Sequence, residues 1–412
     1  MLKELKLKNI KSFEEATLPL SNFTLLIGTN ASGKSNIGDA LKFVHGLSRG
    51  YKLVELLAGK YDGGDKVWSG VRGGPNDFIR WGSETGSVDV GFWDNKLAYH
   101  IILESAPHLP IQVREEWLKD GPKTLFETSV IGEADLYVRE GDISVRTILE
   151  DIRQGRGHGQ SRDEPALSKL SRMLKVGETS NQVNDLTLGF STMRFLDLSP
   201  AAMREPYFFG PLALGDSGEN LSTVLRNLVE SEDRERDILE WLRVLTPMDV
   251  AALEFDKDAR GRVSLVLVEH DKRRTPAESA SDGTLRFLAY LALAFSTDVP
   301  TTCFVEELDN GIHPSRLRLL VELIEEQSKK KGLQVVATSH SPALLNLLSE
   351  DSLLDSLLVY RTEDSSASKV RPLRELPDFE SIARRRQPGT LLEAGWFENT
   401  VEAMDFVEAD VS

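Results

Sequence analysis

The sequence predicts an α/β fold in which a mixed sheet carries a phosphate-binding loop and is flanked by an antiparallel β lobe and a helical insertion. Three observations predict it. Residues 28–35 read Gly-Thr-Asn-Ala-Ser-Gly-Lys-Ser, the G-x-x-x-x-G-K-S pattern, directly after the apolar run Phe23 to Ile27. From Leu285 onward helix-like and strand-like runs alternate, which is the order of a mostly parallel sheet. Between Val88 and Arg146, short alternating runs are separated by Asp94-Asn95, Asp120-Gly121 and Glu140-Gly141-Asp142, the punctuation of an antiparallel meander.

Taken in order, Leu2 to Ile10 and Ala16 to Ile27 alternate as two strands around the turn-like Lys11-Ser12-Phe13-Glu14-Glu15. The second strand runs into the loop. There the chain must wrap a polyphosphate in backbone N–H groups and enter a helix, Asn36 to Val44, whose positive end faces the anion. Gly28, Thr29, Asn30, Ala31, Ser32, Gly33, Lys34, Ser35 and Asn36 are therefore the candidate binding residues of a P-loop NTPase fold. Lys34 can place a charge between the outer phosphates, and the Ser35 hydroxyl can ligand the Mg²⁺ that travels with them.

A glycine-rich stretch, Gly63 to Pro75, leads into strand-like segments at Val88 to Trp93, Leu97 to Leu103, Ile111 to Leu118, Leu136 to Arg139 and Ile143 to Arg146. Residues 150–250 are mostly helical in pattern, and no heptad register survives three repeats there, so no long coiled-coil arm is expected. Strand character returns at Ala251 to Phe255 and Val263 to Glu269. Helix Leu285 to Phe295, strand Thr302 to Val305, helix Ser315 to Lys331 and strand Gln334 to Thr338 follow. Two more strand-like pieces, Leu357 to Thr362 and Val370 to Leu373, precede an acidic end. The expected organisation is a head split between 1–149 and 251–348, with a helical insertion at 150–250 and an extension at 349–412.

Composition narrows the function classes. The chain has 412 residues, 40% of them hydrophobic, which is ample for a core. Its 49 basic and 65 acidic residues give a net charge of −16, which argues against a surface that coats nucleic acid. The most basic local stretch, 153–175, has six basic against two acidic side chains, and is either a DNA contact or a solvated helix face. The longest unbroken apolar run, Phe287 to Phe295, is nine residues, too short for a bilayer span; no membrane association and a cytoplasmic location are expected. Cys303 is the sole cysteine, so no internal disulfide or cysteine-built zinc site is expected.

Three further stretches carry chemistry. Cys303-Phe304-Val305-Glu306-Glu307 is an apolar strand ending in two carboxylates, and with a phosphate loop in the same chain Glu306 suits the metal shell and Glu307 the attacking water. Ser281-Asp282-Gly283 opens a helix, which makes it either a second anion site or an ordinary cap. A buried strand then delivers His340 at its carboxyl end, where ligands sit in doubly wound sheets.

Together these pieces resemble the ABC-type ATPases, and within them the SMC/RecF-like branch that works on DNA and in bacterial defence. Gly28 to Ser35 looks like Walker A, Ser281-Asp282-Gly283 like the signature motif, and Cys303 to Glu307 like Walker B with the catalytic glutamate. Leu308 to Pro314 is similar to the D-loop region, His340 to the switch histidine, and Lys11-Ser12-Phe13 to the K-S-F entry stretch. The resemblance implies an ABC-type head that binds ATP and Mg²⁺ and pairs head to tail. Nucleotide on one loop would be capped by Ser281, Asp282 and Gly283 of a second copy, with Glu307 and His340 driving hydrolysis and Ser35 and Glu306 holding the metal. Two departures stand out: Glu306 replaces the usual aspartate, and the Q-loop glutamine is open among Gln112, Gln154 and Gln160.

A GTPase would carry an N-K-x-D motif, which is absent. A clamp that holds nucleotide without turnover is the rival from another class, and it would have no need of Glu307. Too few residues follow His340 for a fused nuclease domain of about 100 residues. The expected role is therefore the ATPase or sensor subunit of a prokaryotic defence system, a homodimer or higher oligomer with a separate nuclease or toxin effector. A RecF-like repair ATPase is the second choice.

Overall fold

The computed structural model describes residues 1–92, 97–105, 109–130, 136–138, 162–173, 181–210, 212–296, 300–362, 365–385 and 387–411. Its centre is a six-stranded sheet ordered Arg194–Leu196, Thr302–Val305, Gln334–Thr338, Phe23–Ile27, Leu357–Tyr360 and Lys369–Pro372. The first five strands run parallel and the last is antiparallel. Four of these strands are buried along their whole length, which is why they read as continuous apolar runs rather than alternating ones.

Successive side chains on a strand face opposite ways, so the sheet separates two cores. Leu25, Ile27, Cys303, Val305, Val335 and Ala337 join the helices Asp282–Phe295 and Pro314–Lys331 on one side. Leu26, Phe304 and Val336 meet the helix Lys34–Leu47 and the β lobe on the other. That lobe is a seven-stranded antiparallel sheet running from Leu136–Val138 through Lys123–Val130, Gln112–Asp120, Leu97–Glu104, Thr85–Phe92 and Leu2–Ile10 to Phe13–Pro19. A smaller sheet of Tyr207–Phe208, Arg262–Glu269, Val250–Lys257 and Arg274–Pro276 packs beneath the helices Leu221–Leu228 and Glu232–Leu245.

The expected single strand from Ala16 to Ile27 is two strands in two sheets. The chain breaks at Ser21, whose hydroxyl donates to Phe23 O at 2.7 Å while its N–H donates to Thr24 Oγ1 at 3.0 Å, and this turn hands the chain from the lobe to the central sheet. A second difference concerns the expected extension. Leu358 pairs in parallel with Ile27, so residues beyond 349 supply two strands of the central sheet itself. The expected strand Ile143 to Arg146 lies outside the described residues, and no described helix is long and apolar enough to cross a membrane.

Candidate nucleotide site

The phosphate loop leaves its strand through Gly28 at φ 143° and enters its helix through Gly33 at φ 117°. Both glycines are required twice over, by backbone angle and by space. A Cβ on Gly28 would stand 2.0 Å from the carbonyl oxygen of Val359, and one on Gly33 would stand 2.5 Å from Ser368 Oγ. Lys34 folds back over the loop, donating from Nζ to Gly28 O at 2.7 Å and to Thr29 O at 2.8 Å. His340 Nδ1 is 3.5 Å from the same ammonium. Burial pulls the Lys34 pKa down to about 8, with Glu307 opposing. The His340 imidazole is likewise lowered, by burial first and then by Lys34.

The two glutamates leave the end of their strand in different directions. Glu306 donates its N–H to Leu196 O at 2.9 Å, and its Oε1 lies 3.3 Å from Arg72 Nη2. Burial raises its carboxyl against the pull of Arg72, with Asp197, Asp39 and Glu307 adding to the rise. Glu307 sits at φ 48°, a left-handed turn that reverses the chain immediately after the strand. Its N–H donates to Thr338 Oγ1 at 2.9 Å, and its carboxylate accepts from Asn310 Nδ2 at 3.0 Å. Lys34, Glu307 and His340 are thus assembled at the carboxyl ends of three neighbouring strands, as the doubly wound arrangement requires.

Arg72 was not foreseen, being one arginine in a glycine-rich stretch with no local pattern. It also donates to the carbonyl of Ser35, and its Nε reaches Asp39 at 3.3 Å. Lys11, from the entry stretch, completes the group with Nζ 3.5 Å from Asp39 Oδ2. Beside this network opens a cleft of about 420 Å³ whose walls include Asp39, Lys42, Arg72, Asp197, Asp216 and Glu306. The Ser35 hydroxyl and the Glu306 carboxylate are hard oxygen donors, the donor type that Mg²⁺ prefers, so the residues fit that ion.

Ser281 is the N-cap of its helix, accepting from Thr284 N at 3.2 Å, and Asp282 is held by Arg204 at 2.6 Å. Arg286, one turn along, donates to Asn310 O at 2.8 Å, which ties this helix end to the turn after Glu307. Among the described residues no hydrogen bond or ion pair joins Ser281, Asp282 or Gly283 to the phosphate loop of the same chain. Of the three glutamines, Gln112 lies on a lobe strand, while Gln154 and Gln160 lie outside the described residues. Asp197 instead follows the edge strand beside Glu306. In the basic stretch, Arg162 is paired with Glu104 and Lys169 is buried, while Arg153, Arg156 and Lys175 lie outside the described residues.

A phosphate loop on a parallel sheet with paired carboxylates one strand away from its neighbour defines a P-loop nucleotide hydrolase. Residues 1–79 match the family model "AAA ATPase domain", and residues 169–346 match "AAA domain, putative AbiEii toxin, Type IV TA system". An "ATP/GTP phosphatase" of Helicobacter pylori is 20% identical over 85% of this chain and 88% of its own length. "Chromosome partition protein Smc" of Methanocaldococcus jannaschii is 47% identical over 53 residues, which are 13% of this chain and 4% of that protein. Among solved structures, the SmcHead bound to the C-winged helix domain of ScpA covers 90% of this chain and 97% of its own, at 17% identity and a TM-score of 0.49. The SMC head domain from Thermotoga maritima covers 90% and 98%, at 15% identity and a TM-score of 0.44. Both matched stretches carry AAA-type ATPase domain models, and the chain is an ATPase.

Proposed function

We propose that this ATPase binds ATP with Mg²⁺ on residues 28–36 and closes as a head-to-tail homodimer in which Ser281, Asp282 and Gly283 of one copy cap the nucleotide of the other. The observation that carries this reading is the split of the anion-binding ends: among the described residues no hydrogen bond or ion pair joins the loop to the Ser281 helix end, so each is left for a different copy. Lys34 leaves the carbonyls of Gly28 and Thr29 to meet the outer phosphates. Glu307 orients and deprotonates the attacking water, and His340 senses the γ-phosphate end through its contact with Lys34. Ser35 and Glu306 would hold Mg²⁺, which when bound neutralises phosphate charge.

The same reading makes the chain the ATPase or sensor subunit of a prokaryotic defence system, working in the cytoplasm with a separate nuclease or toxin effector. The match to a family described by a toxin–antitoxin system supports that role. A RecF-like role on DNA is the second reading, favoured by the match to a 53-residue stretch of a chromosome partition protein. The deciding measurement is ATP turnover with molar mass in solution, for the native chain and Glu307→Gln, with and without duplex DNA. Turnover in the native chain with an ATP-trapped dimer of the variant is the expected result. Nucleotide bound without turnover in either protein supports a clamp and removes Glu307 from its role, whereas DNA-stimulated turnover moves the biological assignment to repair.

A further inference from the structure

Arg361 follows the strand Leu357–Tyr360, the neighbour of the loop-bearing strand on the side away from Glu306, Glu307 and His340. Its Nε donates to Ser368 Oγ at 3.1 Å. Ser368 is 1% exposed and donates in turn to Ser12 Oγ at 2.7 Å, which also accepts from Asn36 Nδ2 at 2.8 Å. These two serine hydroxyls lie against Gly33, within 2.5 Å and 3.0 Å of where a Cβ would stand. A guanidinium is therefore pinned through one nitrogen to the wall of the phosphate loop. It is exposed, and among the described residues no carboxylate lies within ion-pair distance of it. An arginine held by a buried hydroxyl and lacking an acid is poised for an anion, because its planar fork keeps two donor groups free for phosphate oxygens.

Sheet order says which phosphate. The γ-phosphate must lie toward Glu307 and His340, which come from strands on one side of Phe23–Ile27. Arg361 comes from the strand on the other side, at the helix entrance formed by Gly33 and Asn36. We infer that Arg361 is a nucleotide-binding residue that contacts the α-phosphate, so that the C-terminal strands supply a second cation to the site beside Lys34. This rests on the loop binding a nucleoside polyphosphate, as proposed above.

The test is equilibrium titration of the full chain with Mg·ADP and with inorganic tripolyphosphate, for the native protein, Arg361→Gln, Arg361→Lys, Ser368→Ala and Lys34→Met. Arg361→Gln is expected to weaken both ligands about tenfold, the size of one lost charge-assisted hydrogen bond. Arg361→Lys recovers part of the loss, and nucleotide-free melting stays unchanged. Ser368→Ala, which unpins the guanidinium and leaves its charge, loses about threefold and serves if Arg361→Gln does not fold. Loss for ADP alone would place the contact on the nucleoside and overturn the α-phosphate assignment, and loss for neither would overturn the inference. Undiminished ADP binding by Lys34→Met would instead sink the loop reading on which it rests.

Discussion

Arg72 and Glu306 meet across the mouth of the cleft, with Nη2 and Oε1 3.3 Å apart, although they are 234 residues apart in the chain. The same guanidinium serves Asp39, which is 4% exposed and is otherwise held by Lys11 and by the backbone N–H of Arg72. Arg72→Ala should therefore destabilise the nucleotide-free protein by about 1–2 kcal/mol in chemical denaturation. Arg72 is half exposed, which screens the pair and keeps the loss at that level rather than at the larger cost of a fully buried pair. Arg72→Lys should recover little of it, since an ammonium cannot span Asp39, Glu306 and the Ser35 carbonyl together.

Glu307 has its backbone fixed by Thr338 and its carboxylate by Asn310, so replacing the acid alone leaves the turn intact. Glu307→Gln should lower the hydrolysis rate about 10²- to 10⁴-fold, the range for losing a general base, with ATP affinity within about twofold of native. Single-turnover hydrolysis and equilibrium binding separate the two effects. A variant that loses affinity as much as rate would show that the carboxylate positions nucleotide instead.

Gly33→Ala should abolish nucleotide binding while leaving the chain folded. The new methyl group meets Ser368 Oγ and Ser12 Oγ, and φ 117° is a region that alanine avoids. Adding Ser368→Ala removes the clash with one hydroxyl but not the backbone strain, so the double variant is expected to remain unable to bind. Titration with ADP, together with circular dichroism to check folding, tests this.

These relationships mark how far the residues alone could be read. The loop, its strand and helix, the strands Thr302–Val305 and Gln334–Thr338, and the residues they deliver were legible because each is a short contiguous pattern with its own period. What was not legible is what depends on long-range pairing. Leu357–Tyr360 reads as an isolated apolar run, and nothing near it in sequence says that Val359 will press on Gly28. Asp39 and Arg72 are an ordinary helix acid and an ordinary loop base until the fold brings them to Glu306. The break at Ser21 was missed because alternation continues across it, while a single side-chain turn changes the sheet.

ATP binding should be accompanied by net proton uptake near pH 8.5. In the free protein Lys34 has a pKa of about 8, below its ordinary 10.5, because it is buried. Part of it is therefore neutral at pH 8.5, and phosphate draws the proton on. Titration calorimetry in two buffers of different ionisation enthalpy should show the uptake at pH 8.5 and little from Lys34 at pH 7. The stability consequence has a definite sign. Between about pH 8 and 10.5 the unfolded chain binds more protons than the folded one, so the burden of Lys34 on the nucleotide-free fold is greatest below pH 8 and eases above it.

Glu116 gives the opposite sign in the β lobe. Its carboxylate is fully buried and accepts from Tyr99 OH at 2.9 Å and from the N–H groups of Ala166 at 2.5 Å and Leu167 at 2.9 Å, the first turn of the helix Ala166–Met173. Burial pushes its pKa up to about 7, and the three hydrogen bonds limit the rise. A folded pKa above the unfolded 4.5 means that the folded state binds more protons between those values, so the stability held below pH 4.5 is lost as pH rises through 7. Glu116→Gln cannot ionise, and it turns an amide N–H toward a backbone donor, so it should be less stable than native at pH 5. The gap should narrow by pH 8, where the native site carries a buried charge. Melting temperatures of both proteins at pH 5 and pH 8 measure this directly, and a gap that stays constant between the two would show that the carboxylate is ionised throughout. Because Ser168 on the same helix donates to Leu47 O at 3.0 Å, at the end of the phosphate-loop helix, hydrogen exchange at residues 166–173 should follow the same pH dependence.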